Sequence, residues 1–371
     1  MSSPSAPRLA TTLFDGDRLR QARVYNGKRK IEVARALQLT PGVISQYEQG
    51  RTKPSPATLA ALSLHLGFSP EFFERRARPP ARVDESQAHF RRLRSTSKQQ
   101  RDQLLVRLEL LTEILERVEA HVRLPAPAIP SIGADDLDDS GVEAAAAFVR
   151  AEWGLGGGPI NNVVRLLESK GVVVIRPVIG TTDIDAFSTW VAGRPLVVLS
   201  SDKGDAARSR FDAAHELGHL VMHHDAAPGL QALERQAQRF AAALLMPADV
   251  IRAELPTRMS WPKYFDLKTR WRVSIQALMY RARTLAVLSP DAYQRAQIHF
   301  TRYFGRETEP VDLGVPEEPV LLRKALDLLE TRLGITKAAI AEEARFPLRY
   351  LDDLLADAVP AAESRPEVPV G

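Results

Sequence analysis

The sequence predicts a multi-domain protein: an all-α domain of helix-turn-helix type, then an α+β domain with a paired-histidine helix, then a helical C-terminal region. Three observations lead there. The chain has 371 residues, more than one hydrophobic core usually organises. Residues 15–75 alternate helix-period apolar runs with short polar breaks, whereas residues 172–200 switch to short β-rich runs. Proline-rich breaks at Pro79-Pro80 and between Leu124 and Pro130 separate these stretches, because proline has no backbone N–H with which to continue a helix.

The expected boundaries follow. Residues 14–78 form the helix-turn-helix domain, 79–140 a helical linker, 141–290 the α+β domain, 291–358 the helical C-terminal region, and 359–371 a disordered tail rich in Pro, Ala and Glu. Within the linker, between Thr96 and Val122, the apolar residues Leu104, Leu108, Leu111, Leu115, Val118 and Val122 recur at alternating spacings of four and three. That seam suits pairing with another helix, either in a homodimer or within the chain; with fewer than four heptads, packing on the chain's own domains is favoured. In the α+β domain, helices at 142–153 and 162–170 flank the Gly156-Gly157-Gly158 break. Strands are expected at 172–178, 186–191 and 195–200, and helices from 206 to about 288.

Composition narrows the setting. Apolar residues at 44% and charged residues at 26% are globular values. No stretch approaches the roughly 18 apolar residues of a membrane helix, so no membrane partner is expected. The absence of cysteine excludes disulfides and thiolate metal sites, and the first residues lack the apolar core of a secretory signal, which points to the cytoplasm. Residues 1–125 carry 22 Lys and Arg against 13 Asp and Glu, a net +9, so the remainder carries −5 within the total of +4. A basic first part suits a polyanion such as nucleic acid, although a solvated basic face gives the same count.

Lys30-Ile-Glu-Val-Ala-Arg-Ala-Leu37, Gln38-Leu39-Thr40 and Pro41-Gly-Val-Ile-Ser-Gln-Tyr-Glu48 read as helix, tight turn and second helix. Thr40 is placed to cap the second helix with Pro41 at its first position. Val33, Ala34, Leu37, Val43, Ile44 and Tyr47 face a shared core, which leaves Gly42, Ser45, Gln46 and Gln49 outward to read base edges in a major groove. Lys28, Arg29, Lys30, Arg51 and Lys53 are the candidate phosphate contacts. At these residues, and in SQYEQGRTKPSPATL, the stretch 14–76 resembles the helix-turn-helix domains of the Cro and phage-repressor family. Lys30 departs from that family's frequent glutamine, yet a lysine still suits a phosphate.

Phe211-Asp-Ala-Ala-His215-Glu216-Leu-Gly-His219-Leu-Val-Met222 places two histidines at i and i+4 on one face of an apolar helix, with a glutamate between them. Imidazoles so spaced can hold one Zn²⁺, and Glu216 is then the general base and acid for an activated water. Two paired histidines on a surface helix would need no metal, but the apolar flanks argue against a surface. A catalytic zinc wants a third ligand. Glu234, which begins the amphipathic run from Leu233 to Pro247, is a candidate; His223 and His224 rank lower because they follow the motif too closely to swing round.

FDAAHELGHLVMH followed by LERQAQRFAAALLMP resembles the ImmA/IrrE metallopeptidases, over residues 140–290, a family often fused to a repressor-type helix-turn-helix domain. The resemblance implies a zincin-like fold, a ligand set of His215, His219 and Glu234, and zinc, with Mn²⁺ or Fe²⁺ as alternatives. It further implies cleavage of a partner repressor to switch on silent genes, with an operator in double-stranded DNA bound by the first domain. A transcription factor that senses or binds a partner without proteolysis is the alternative. Family members often carry Asn or Asp four residues after the third ligand, where this chain has Gln238, a departure that touches the tuning of the site more than the ligation.

Other readings are weaker. An edge strand beside the histidine helix can receive an extended peptide, and Asp185-Ala-Phe-Ser188-Thr-Trp190 and Gly193 to Ser200 look like the strands concerned; Ser188 and Trp190 suit sheet packing or substrate contact equally. Residues 261–283 again suggest helix, turn and helix. Trp261, Phe265, Trp271, Leu278 and Met279 favour apolar packing there over a second DNA-binding element. Tyr264 or Tyr280 is a candidate oxyanion stabiliser on residue type alone.

Overall fold

The computed structural model describes residues 13–74, 97–133, 137–176, 186–200, 205–223, 231–305 and 309–355. Pro79-Pro80, Asp185, His224 and the expected tail at 359–371 lie outside them.

The first domain contains α1 (Gly16–Tyr25), α2 (Lys30–Ala36), α3 (Pro41–Glu48) and α4 (Pro56–Leu66). Thr40 caps α3 by accepting from Val43 N at 3.4 Å, with Pro41 in the first turn. Val33, Ala34, Ile44 and Tyr47 are buried, and Leu37 and Val43 pack at the margin, as the spacing predicts. Gly16 lets α1 begin against the end of α3: a Cβ there would lie 2.1 Å from the Tyr47 carbonyl oxygen.

Helix α5 (Lys98–Glu119) settles the fate of the apolar seam. Leu104, Leu108, Leu111, Leu115 and Val118 are buried in one core with the helix-turn-helix domain. Arg18 of α1 makes two buried bonds to Glu113, at 2.8 and 3.0 Å, and Gln21 donates to Glu109 at 3.0 Å. The seam thus packs on the chain's own domains, the use its short length favours.

Strands β1 (Val173–Ile175), β2 (Ala186–Val191) and β3 (Arg194–Leu199) form a sheet in the order β1-β3-β2. β1 runs parallel to β3; β2 and β3 make an antiparallel hairpin turned by Ala192 and Gly193, both at positive φ as a two-residue turn of this hand requires. Strand alternation makes the sheet a wall between two cores. Val173, Ile175, Phe187, Val191, Leu196 and Val198 join the core of α5 and the first domain. Val174, Ala186, Val197 and Leu199 face the second core.

That second core gathers α6 (Asp139–Glu152), α7 (Val163–Ser169), α8 (Ala206–Met222), α9 (Gln231–Leu245), α10 (Ala248–Glu254), α11 (Trp261–Trp271), α12 (Ile275–Thr284) and α13 (Pro290–Phe304). The proline segment after α5 lies along it, with Ala128 N bonded to Lys170 O and Ile132 N to Val221 O. The C-terminal region divides between the cores. Tyr293, Ala296 and Phe300 of α13 join the second, whereas α14 (Leu321–Leu328), α15 (Lys337–Glu343) and α16 (Leu348–Leu355) return to the first. There the Tyr350 ring meets Tyr25 at 4.2 Å and its hydroxyl reaches Leu66 O at 3.3 Å. No helix among the described residues is long and apolar enough to cross a membrane.

Candidate metal centre and DNA-binding face

Helix α8 starts at Asp205, whose carboxylate accepts from Arg208 N, and runs against the sheet with His215, Glu216 and His219 all buried. Helix α9 crosses it closely because Gly218 has no side chain. A Cβ at Gly218 would lie 3.1 Å from Phe240 Cδ1 and 3.2 Å from Ala237 Cα. The crossing brings Glu234, in the first turn of α9, over the two imidazoles.

The three expected ligands meet there. His215 Nε2 and His219 Nε2 are 3.1 Å apart, and the Glu234 carboxylate oxygens lie 3.6 Å from the first and 3.8 Å from the second. These atoms form a His-His-Glu cluster of the kind that holds a metal ion. A tetrahedral ion with bonds of about 2.0–2.1 Å needs ligand atoms roughly 3.3 Å apart, so the donor set and its spacing fit a divalent cation. Two nitrogens and a carboxylate oxygen also suit Mn²⁺ and Fe²⁺.

Glu216 stands apart from the cluster. Ser188 Oγ, on β2, donates to Glu216 Oε2 at 2.7 Å and lies 3.3 Å from Glu216 O. Ser188 is fully buried, so its place is structural and beside the site at once.

His223 caps the end of α8 and does not join the cluster. Its Nδ1 lies 2.8 Å from Nδ1 of His219, and its Nε2 lies 2.9 Å from Oε1 of Gln236. Gln236, which no sequence signal singles out, lies two residues after Glu234 on α9. Gln238, the position expected to tune the site, is half-buried, and its side chain makes no hydrogen bond among the described residues. Tyr264 is buried, with burial pushing its hydroxyl up to about 12, and Tyr280 is exposed. In α11 and α12, Tyr264, Leu267, Trp271, Leu278 and Met279 are core residues, and Arg281 is buried against Glu143 and Met246 O.

On the first domain, Gly42, Gln46, Gln49, Arg51 and Lys53 are exposed on and just after α3, and Ser45 is half-buried. At the start of α2 the Arg29 and Lys30 side chains are already engaged, whereas Lys28 is held through its backbone carbonyl. Lys30 Nζ lies 3.2 Å from both Ser45 Oγ and Glu48 Oε2, Arg29 pairs with Glu32, and the Lys28 carbonyl accepts from Arg23.

Comparison with known families agrees with this division. Residues 16–75 match the model of a helix-turn-helix domain, HTH_31, and residues 167–283 match Peptidase_M78, the IrrE N-terminal-like domain. No curated protein matches the chain.

Proposed function

From a chain that joins an N-terminal helix-turn-helix domain to an IrrE-like Peptidase_M78 domain, the ImmA/IrrE architecture, we propose a transcriptional regulator with zinc-dependent endopeptidase activity that cleaves a partner repressor. The carrying observation is the meeting of His215, His219 and Glu234 with Glu216 held alongside by Ser188.

In this reading His215, His219 and Glu234 hold the cation, Zn²⁺ first, with Mn²⁺ or Fe²⁺ able to use the same ligands. When bound, the cation supplies Lewis acidity toward water and a peptide carbonyl. Glu216 takes the proton of the attacking water and returns it to the leaving amide nitrogen. Ser188 holds the carboxylate for both transfers. The edge of β2 that β3 does not use can take an extended substrate segment as an added strand. The first domain, through Gly42, Ser45, Gln46 and Gln49 on bases and Lys28, Arg29, Lys30, Arg51 and Lys53 on phosphates, carries the enzyme to an operator where a DNA-bound repressor can be cut.

Metal content of the purified protein, prepared without chelators, tests the centre: near one equivalent in the wild type, lost in His215→Ala and Glu234→Ala. Glu216→Gln tests the chemistry. It should retain metal and DNA binding while a shortened repressor no longer appears in the host. Unchanged gene control by that variant would leave a DNA-binding regulator that binds its partner without proteolysis.

A further inference from the structure

His219 faces Glu234 with Nε2 and, through its other ring nitrogen, begins a chain of hydrogen bonds that is buried at its first step and half-buried at Gln236. Nδ1 of His219 lies 2.8 Å from Nδ1 of His223, Nε2 of His223 lies 2.9 Å from Oε1 of Gln236, and Nε2 of Gln236 donates to the Leu137 carbonyl at 2.9 Å. The far end fixes the direction of every bond. A backbone carbonyl only accepts, so Gln236 turns its NH₂ to Leu137 and its oxygen to His223. That oxygen also only accepts, so His223 carries its proton on Nε2. In the neutral ring Nδ1 is then a lone pair, and it accepts the Nδ1 proton of His219. His219 is left with an Nε2 lone pair directed at His215 and Glu234, the form a metal-ligating imidazole needs.

We propose that His223 and Gln236 are positioning residues, which hold His219 in its ligating tautomer and orientation through a relay anchored on the Leu137 carbonyl. The proposal rests on the reading that His215, His219 and Glu234 hold a divalent cation. Three elements contribute: the segment leading into α6 gives the carbonyl, the end of α8 gives His223, and α9 gives Gln236. Helix α9 thus supplies one ligand and, two residues on, the acceptor that sets another. The first histidine has no such support, since His215 Nδ1 is buried without a hydrogen-bond partner among the described residues. Among the described residues, one of the two imidazoles is set from behind.

The relay is tested on the full-length protein in two ways. In metal-stripped wild type with ¹⁵N-labelled histidine rings, long-range ¹H–¹⁵N spectra should show His219 protonated on Nδ1 and unprotonated on Nε2, a preference lost in Gln236→Leu. In competition with a chromophoric chelator, Zn²⁺ affinity should fall about 10- to 100-fold in His223→Phe and Gln236→Leu. It should stay within a few-fold of wild type in Gln236→Glu, which keeps an acceptor for His223. His215→Ala separates the two ideas. Equal zinc affinity in His215→Ala and wild type would overturn the metal centre itself. Zinc binding lost in His215→Ala but unchanged in His223→Phe and Gln236→Leu, or a His219 proton on Nε2, would overturn the relay alone.

Discussion

The Ser188 hydroxyl lies 2.7 Å from Oε2 of Glu216 and joins the edge strand of the sheet to the carboxylate between the two histidines. A hydroxyl donating to a carboxylate makes a charge-assisted bond, of order 1.5 kcal/mol or more when buried. If that bond holds Glu216 ready for proton transfer, its loss acts on the chemical step and leaves the metal ligands alone. Ser188→Ala should therefore keep the metal content of the wild type and lower kcat for repressor cleavage by about tenfold, with KM little changed. An unchanged kcat would make Ser188 a sheet residue and nothing more.

Gly218 sits inside the paired-histidine motif, where α8 and α9 touch. A methyl group there meets Phe240 and the Ala237 backbone at 3.1–3.3 Å, so α9 must shift by a few tenths of an ångström. Overpacking of this kind costs about 1–3 kcal/mol. Because Glu234 rides on α9, Gly218→Ala should lower the unfolding midpoint and weaken zinc binding together. Thermal unfolding and chelator competition on the same sample check the pairing; a destabilised variant with unaltered zinc affinity would separate the crossing from the site.

What the sequence made legible follows the reach of each contact. His215 and His219 stand one helical turn apart, so spacing alone put them on one face with Glu216 between them; Glu234 was one candidate at the start of an amphipathic run, and the resemblance made it the third ligand. The helix α3 itself read just as well, because Thr40, Pro41 and its apolar set are local signals. Ser188 meets Glu216 across 28 residues and His223 meets Gln236 across 13, on different elements, and no local pattern announces either. The seam of α5 was ambiguous for a physical reason: one apolar stripe suits a second copy or the chain's own core. Arg18 and Glu113, 95 residues apart, decide for the core. Likewise the helical C-terminal region was expected, while its destination beside Tyr25 was not. Lys30 was assigned to phosphate by position, without sight of the Glu48 carboxylate that accepts it.

The Arg18–Glu113 pair fastens the first domain to α5, and both side chains are 2% exposed. Removing one partner strands the other charge in the core, which costs about 3–5 kcal/mol, whereas replacing both by apolar groups of similar size is far milder. Glu113→Ala should therefore lose several kcal/mol in urea unfolding, and the double variant Arg18→Met with Glu113→Leu should recover most of it. Equal losses in the two variants would mean that the pair contributes by shape, not by charge.

Tyr264 is fully buried, its hydroxyl has no hydrogen-bond partner among the described residues, and burial pushes its ionisation up to about 12 from 10.0. Between those values the folded protein keeps the phenolic proton that the unfolded chain releases. The unfolded state then binds fewer protons, so this group lowers stability as pH rises from 10 towards 12. Tyr264→Phe removes that dependence and deletes a hydroxyl that was desolvated for no bond. At neutral pH the variant should be as stable as the wild type or about 1 kcal/mol more so. Denaturant midpoints at pH 7 and pH 11 check both parts, and a clear loss at pH 7 would point to a partner for the hydroxyl.

On the face expected to meet DNA, position separates two kinds of exposed side chain. Gln46 projects from the middle of α3, where a side-chain amide can pair with a base edge, and Arg51 follows the helix, where the backbone of a duplex would pass. Gln46→Ala should narrow the gap between operator and random DNA by about 1–3 kcal/mol and leave the salt dependence alone. Arg51→Ala should weaken both DNAs alike and lower the slope of log K against log salt by about one. Lys30→Ala should do less than Arg51→Ala, because its ammonium is already shared between Ser45 and Glu48. Fluorescence anisotropy over a salt series distinguishes these outcomes. A change of slope for Gln46→Ala, with discrimination intact, would move that side chain from the bases to the phosphates and turn α3 on its axis in the groove.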